Sequence, residues 1–579
     1  MWRNVRVITL SAVACAGAAA VTWSQGASGV AGRASFITTA HQLGIVGYRD
    51  PVGAIWPDGT RVVFAEGRRL YSAPVGGGPR RELAVGVGQI RHVTIAGEAV
   101  IFEDSPSPTR VWRVVPGESP APFGRAHELN GVRQLAGAPD GRLVGLSAAR
   151  SGTELVILRR DGSVDSRAPI AGGASFPAFA FSGTVACVVA TERGPRVSLP
   201  CGSSGRRFQP DVDVVGPLAF SPDDSVVYFA SPNAGGTIDL WSANVARGHA
   251  QRLSGFARDS YAPSVTRDGR VLFKTQTYRT NIAEFDIARR TLRELTAFQA
   301  ETPSYDREGT RIAVTYGSWR RVIDDAKYPD IAQDIGLIAV DRLLQRGPIE
   351  VIAQSDSEDQ AMSWSPNGKW IAFHSHREIS DDVWLRSADG KSGDRRISFL
   401  GRGAEVGWPR WSPHGAGVLF NGARKSDGRS VNFIVGVDQD IGAVTSPPQE
   451  VPVSVVEGEM MHSEWLDEQT IAGIIKTGPG QQALYTAPAT GGAARVVHRV
   501  ATDHDFPGMG VSPDGQSLAF IQPADDGVFQ LFRVPVTGGA PEQLTFDRSH
   551  KSQPAWAPDG LRIAVTVWEY HVQFWLLSP

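Results

Sequence analysis

Residues 361–376 read AMSWSPNGKWIAFHSH, two apolar runs on either side of a four-residue interruption. Pro366 pre-sets φ for a turn, and Asn367 and Gly368 tolerate the left-handed backbone that closes it. Beyond the turn, Ile371 and Phe373 alternate with Trp370 and Ala372, which gives a short strand one strongly apolar face. The pattern predicts a β-hairpin, and a lone hairpin is marginal in water. The chain supplies neighbours by repeating it. Clear copies of the turn stand at 56–59, 138–141, 221–224, 266–269, 306–309, 365–368, 412–415, 512–515 and 557–560. Degenerate copies fit near Gly97, Gly183 and 467–469, which brings the number to twelve.

Each copy continues alike. An apolar strand follows the turn (RVVFAE, SVVYFAS, SLAFIQ, RIAVTV), then a polar loop, then a third strand (IDLWSA, DVWLRS). A fourth often ends in Leu-Thr (RELTAF, EQLTF). Four short strands in a period of about 45 residues predict a propeller blade. Twelve blades exceed the usual four to eight of one ring. The expectation is therefore an all-β chain of two β-propellers of about six four-stranded blades each, over residues 30–297 and 298–579. The twelfth copy ends at Phe574-Trp575-Leu576-Leu577 without a fourth strand. Residues 35–44 are expected to supply it and to close the second ring, which would hide an exposed sheet edge.

The run Pro-x-Trp-Ser-Pro-Asp-Gly followed by an Ile-Ala-Phe strand resembles the TolB-type repeat of bacterial envelope propellers. Pro409 to Pro413, Gly508 to Phe520 and Pro554 to Phe574 carry it best. The resemblance covers almost all of the chain after about residue 45 and implies fold far more than activity. TolB proteins place a small α/β domain before a single propeller. This sequence departs from that plan, so the TolB role in its envelope complex is not carried over.

Composition fits a soluble globular protein, with 42% hydrophobic and 20% charged residues. A formal net charge of -2 argues against nucleic acid as the main partner. Residues 1–29 have the features of an export signal: Arg3 and Arg6, an apolar run, and an Ala-x-Ala cleavage site at 18–20. Cys15 offers the alternative of a lipid-anchored form, the one route expected to bring the protein to a membrane. Cleavage after Ala20 leaves Cys187 and Cys201, nearly opposite on adjacent strands. A disulfide between them suits a periplasmic or extracellular location.

Candidate chemistry lies in the loops between strands two and three and in the connections between blades, which share one face. On that face of the second half fall His374, His376, His462, His504 and His550, with Glu405 nearby and His571 placed in the loop of the twelfth copy. Imidazole and carboxylate suit a divalent metal, and some pectate-fragment lyases carry a histidine-bound metal at a similar place. The bland alternative is a set of polar loop residues bonded to one another. An insertion at 318–334 brings Trp319, Arg320, Arg321 and Tyr328 to the same face, and long loops on a rigid scaffold commonly bind partners. Aspartates in the Pro-Asp-Gly turns are expected to form turns rather than to catalyse. No Gly-x-Ser-x-Gly elbow, phosphate loop or Cys-x-x-Cys appears.

The sequence thus predicts an exported, non-catalytic binding or scaffolding module with a protein or carbohydrate partner in the cell envelope and no assured cofactor. The alternative is a metal-dependent lyase or hydrolase acting on an acidic saccharide.

Overall fold

The computed structural model describes residues 20–21, 40–47 and 53–578, apart from the segments 87–89, 105–109, 125–128, 130, 150–151, 171–172, 191–194, 203–205, 209, 211, 233–237, 256–258, 317–333, 341–348, 354–358, 378–379, 402–405, 425, 427, 455–457, 479–480, 503–507 and 526. The signal segment with Cys15 therefore lies outside the described residues, apart from Ala20–Val21. So do Trp319, Arg320, Arg321, Tyr328, Glu405 and His504, and the side chains of His376 and His571.

Among the described residues the chain folds into ten four-stranded antiparallel sheets and one seven-stranded sheet, besides a two-stranded pair. Each four-stranded sheet is a blade whose strands, A to D, follow in chain order. Blades 1 to 5 begin at Gly53, Ile90, Val132, Ala174 and Val215, and blades 7 to 11 at Ala300, Asp359, Val406, Glu459 and Met509, the seven-stranded sheet supplying blades 6 and 12. Strand B is buried on both faces, as in Arg61–Glu66, Arg311–Tyr316 and Gly417–Ala423. It lies inside a sheet sandwiched between two others, so it reads as a continuous apolar run. The A–B turn is held by its acidic residue. Asp140, Asp223, Asp514 and Asp559 accept the backbone N–H two residues on, at 2.8–3.1 Å. These aspartates are turn formers.

The Leu-Thr at the end of strand D also has a structural cause. Ser254, Thr296, Ser398 and Thr545 accept the strand C N–H groups of Leu240, Ile282, Val383 and Leu531 at 2.8–3.0 Å. In blades 5 and 8 the hydroxyl also donates to a fully buried aspartate, Asp239 or Asp382.

Apolar clusters between blades trace two closed cycles. In the first, blades 1 to 5 pack in order, with clusters around Phe102, Val132, Cys187 and Phe229, and blade 6 joins blade 5 to blade 1 through Phe273, Trp575 and Phe574. In the second, blades 7 to 11 pack in order, and blade 12 joins blade 11 to blade 7 through Val565 and Ala564. Each cycle takes in six blades, and the two are called the first and second ring below.

Blades 6 and 12 are composite. The strand Val271–Asp286 and the last strand, Arg562–Leu577, are each 16 residues long and pair antiparallel throughout, from Val271 opposite Leu577 to Asp286 opposite Arg562. One end of this ladder is flanked by Asp259–Val265 and by the N-terminal strand Ala40–Gly47, making blade 6. The other end is flanked by His550–Trp556 and Thr291–Glu294, making blade 12. Where other blades turn back between strands B and C, these strands run straight on into the opposite ring.

Two expectations are corrected by this pairing. The N-terminal strand pairs with Leu576 and Leu577, but that end of the last strand belongs to the first ring. The missing strands of the twelfth copy come instead from the latter part of Val271–Asp286 and from Thr291–Glu294. Position 571 lies within a strand, opposite Thr277, rather than in a loop. A repeat count assigns strands by order along the chain, and order alone does not reveal a strand that fails to turn.

The crossing is anchored at blade 12 by Glu284, which is 4% exposed. Its carboxylate accepts from Arg293 (2.8 Å), Arg562 (2.9 Å) and the Tyr305 hydroxyl (2.7 Å). Burial, with Glu284 beside it, drives the Tyr305 hydroxyl far above its ordinary pKa. In blade 6, Trp575 donates its indole N–H to Thr275 at 2.9 Å. Cys187 and Cys201 are joined by a disulfide in blade 4, with Cα atoms 5.1 Å apart.

Removing residues 571–579 deletes strand C of blade 6. Hydrogen exchange should then rise in Arg61–Glu66 and Val226–Pro232, which are remote in sequence. Loss of protection confined to the second ring would contradict the crossing.

Candidate functional site

Strand A of each blade is an open sheet edge along the inside of its ring, where unpaired N–H groups are a liability. The chain manages this edge in two ways. The pairing of strand A with strand B is broken by a bulge in most blades. At that bulge the backbone is left-handed even in residues with side chains: Gln134, Phe176, Ala262, Thr302, Ala361, Trp408 and Gln553, with φ of 49–56°. Proline follows in five of these, as in Trp408-Pro409, and removes a donor from the edge. Side chains of the preceding blade take up N–H groups at the bulge. The Gln134 carbonyl accepts from Phe176 N at 2.8 Å, and Thr566 from Thr302 N at 3.1 Å. In the first ring, Glu103 accepts Leu135 N–H at 3.4 Å and His92 Nε2 bonds Leu135 O. Burial raises the Glu103 pKa.

The repeat allows the inner strands to be compared position by position. At the place of Trp408 in the repeat, the second ring holds Thr302, Ala361, Trp408, His462, Gly508 and Gln553, although in blade 10 the bulge itself falls one residue earlier, between Met460 and His462. Two residues on stand Ser304, Ser363, Arg410, Glu464, Gly510 and Ala555. Four blades place small or neutral polar residues at both positions. The adjacent blades 9 and 10 place Trp408 with Arg410 and His462 with Glu464.

These four side chains touch. The Trp408 and His462 rings stack at 5.0 Å, with 16° between their planes. Arg410 Nε donates to Glu464 Oε1, and His462 Nε2 lies 3.1 Å from the same oxygen. Arg410 Nη1 donates to Pro409 O at 2.9 Å and reaches Met362 O at 3.5 Å, while Nη2 lies 3.5 Å from His462 Nε2. His462 is 3% exposed, and Arg410 and Glu464 are about four-fifths covered (side chains 17% and 18% exposed).

Burial lowers the His462 pKa, and the Arg410 charge adds to this, against an opposing pull from Glu464. Burial alone would raise the Glu464 carboxyl, but Arg410 and His462 outweigh it and hold it below the usual range. At neutral pH the group is an ion pair with a neutral imidazole, so Nε2–H donates to Glu464. His462 Nδ1 is buried with no hydrogen-bond partner.

The other described histidines sit elsewhere. His374, on strand B of blade 8, faces the Gln360 amide with Nδ1 at 3.4 Å. Its Nε2 makes no hydrogen bond and lies 3.4 Å from Asp381 Oδ1. His550, at the start of strand A in blade 12, accepts Phe529 N–H at 3.4 Å. Among the described residues, no group of three or more His, Cys, Asp or Glu is spaced to hold a metal ion. A groove of about 890 Å³, lined by Phe399, Leu400, Phe433, Val444 and Pro447, takes in none of these residues. Its charged residues, Arg424 and Glu450, pair with each other at 3.0 Å.

Trp408, Arg410 and Glu464 went unnoticed in the sequence because each sits inside the repeat motif. The x of Pro-x-Trp is Arg410 here and Ala555 in blade 12, and that contrast was the available signal.

No protein-family model matches the chain. Over 56 residues it is 43% identical to the uncharacterized peptidase YuxL of Bacillus subtilis (strain 168), a match covering 10% of this chain and 8% of that protein. The chain thus spans less than a tenth of that relative's length. Among solved structures it is similar to a putative TolB from Agrobacterium tumefaciens (17% identity, 50% of this chain, 99% of that one, TM-score 0.38). It is also similar to TolB from Acinetobacter baumannii (15%, 57% and 82%, TM-score 0.37) and to an oligogalacturonate lyase in complex with manganese (14%, 69% and 98%, TM-score 0.32). Likenesses at this level do not bear on individual residues or on activity.

In the fold His462 takes up its proton at a lower pH than in the unfolded chain, where it does so below about pH 6.5. Stability should therefore fall on acidification from that point, by at most about 1.4 kcal/mol per pH unit for one proton. Glu464 adds a loss lower down, as pH falls from about 4.3 through its depressed folded pKa. Denaturant midpoints measured from pH 8 to 5 should decline less in His462→Gln than in the wild type. Equal slopes would contradict the neutral, buried imidazole.

Proposed function

We propose that the chain is an exported, TolB-like propeller protein that binds or scaffolds a partner in the bacterial envelope. The partner engages the B–C face of the second ring at the inner strands of blades 9 and 10. The observation that carries this is the departure of Trp408, Arg410, His462 and Glu464 from the small residues of the other inner strands. A scaffold built by repetition has no need of a largely buried ion pair at two of six equivalent places. The insertion containing Trp319, Arg320, Arg321 and Tyr328, and the connection containing Glu405, belong by their place in the repeat to the same face. The disulfide of blade 4 supports an oxidising compartment, which fits a periplasmic or extracellular location.

One observation favours a second reading, a divalent-metal site serving a lyase or hydrolase that acts on an acidic saccharide. His374 Nε2, which makes no hydrogen bond, lies 3.4 Å from Asp381 Oδ1. Two ligands of one tetrahedral ion take about that spacing when each bond is about 2.0–2.1 Å. Gln360, beside Nδ1, would fix the ring as an outer partner.

Capture of envelope proteins by the immobilised chain, compared with Trp408→Ala and Arg410→Ala, tests the first reading. Both variants should lose the specific partner at least tenfold, and undiminished capture by both would overturn it. Stoichiometric divalent metal in the purified protein, lost in His374→Ala, would transfer the function to the second reading.

A further inference from the structure

The polar capacity of the blade 9–10 cluster is not used up within the protein. Glu464 Oε1 accepts both internal bonds, from Arg410 Nε and from His462 Nε2. Glu464 Oε2 has no partner among the described residues and is not among the fully buried unbonded atoms, so it keeps some exposure as an unused acceptor. Arg410 Nη1 is committed to two backbone carbonyls. Nη2 approaches only His462 Nε2, which already carries the hydrogen given to Glu464. An unused acceptor and a donor without a good acceptor of its own are thus held by one ion pair beside the part-buried indole of Trp408.

We infer, resting on the binding reading above, that this cluster recognises an uncharged saccharide unit through a pair of neighbouring hydroxyls. A hydroxyl both donates and accepts. One of a vicinal pair can donate to Glu464 Oε2 while the next accepts from Arg410 Nη2, and the C–H surface of the ring packs against the exposed part of Trp408. Charge selects the class. With His462 neutral, the cluster has one positive and one negative charge, and the open atom on the acidic side is a carboxylate oxygen. A carboxylate-bearing sugar would place like charges together in a poorly solvated site, which disfavours binding. A neutral sugar meets no such penalty. The held geometry also means that little side-chain freedom is lost on binding.

Titration calorimetry of the purified full chain with cellobiose, maltose, chitobiose and digalacturonate tests this. At least one neutral disaccharide should bind saturably, at least tenfold tighter than digalacturonate. That binding should weaken at least tenfold in Trp408→Ala and several-fold in Glu464→Gln, which keeps the side-chain shape should the first variant fold poorly. Failure of every neutral disaccharide to bind, binding unchanged in both variants, or tighter binding of digalacturonate would each overturn the inference. Capture of an envelope protein that depends on Trp408, with no saccharide bound, would sink this inference while leaving the broader binding role intact. Loss of both would sink the two together.

Discussion

The antiparallel ladder between Val271–Asp286 and Arg562–Leu577 is the constraint on which the whole chain depends. Each of its strands serves two blades, so neither ring closes without residues from the other half of the chain. Leu272, Phe574 and Leu576 complete the apolar contact with blade 1, while Ala283, Ile563 and Val565 complete that with blade 11. Two separate propellers of the same length could have been made by turning each strand back at its B–C end. Running straight on exchanges two hairpins for one continuous set of backbone hydrogen bonds, and ties the closure of one ring to that of the other.

Within this frame the blades repeat a few devices: an acidic turn residue, a hydroxyl that braces strand C, and a bulge that covers the inner edge. Repetition of those devices makes departures from them informative. Trp408, Arg410, His462 and Glu464 occupy positions where the other blades of the second ring need little volume and no charge. Breaking a partly buried ion pair by removing one partner costs about 3–5 kcal/mol, whereas apolar replacement of both is often neutral. The pair is thus weak as a stability device, which is the reason the binding role proposed above is placed on it.

Much of the architecture was legible in the sequence because turn chemistry is local. Pro-Asp-Gly fixes a turn, an apolar run after it fixes strand B, and the spacing of these signals gives the blade. The crossing was harder to see. Residues 276–281 (QTYRTN) and 566–571 (TVWEYH) contain neither Gly nor Pro, so the sign of an unbroken strand was present, but counting by repeats overrode it. The candidate site was legible only in part. His462 stood out as a histidine, yet its partners lay within the scaffold motif and belong to neighbouring blades. Contact between Arg410 and Glu464, 54 residues apart, becomes visible only once those blades are packed side by side.

Calorimetric unfolding of the full chain tests the shared-strand architecture most directly. Because each ring contributes strands to the other, both should melt in one transition whose calorimetric and van't Hoff enthalpies agree. Two resolved transitions, with one ring keeping its hydrogen-exchange protection after the other has unfolded, would contradict it.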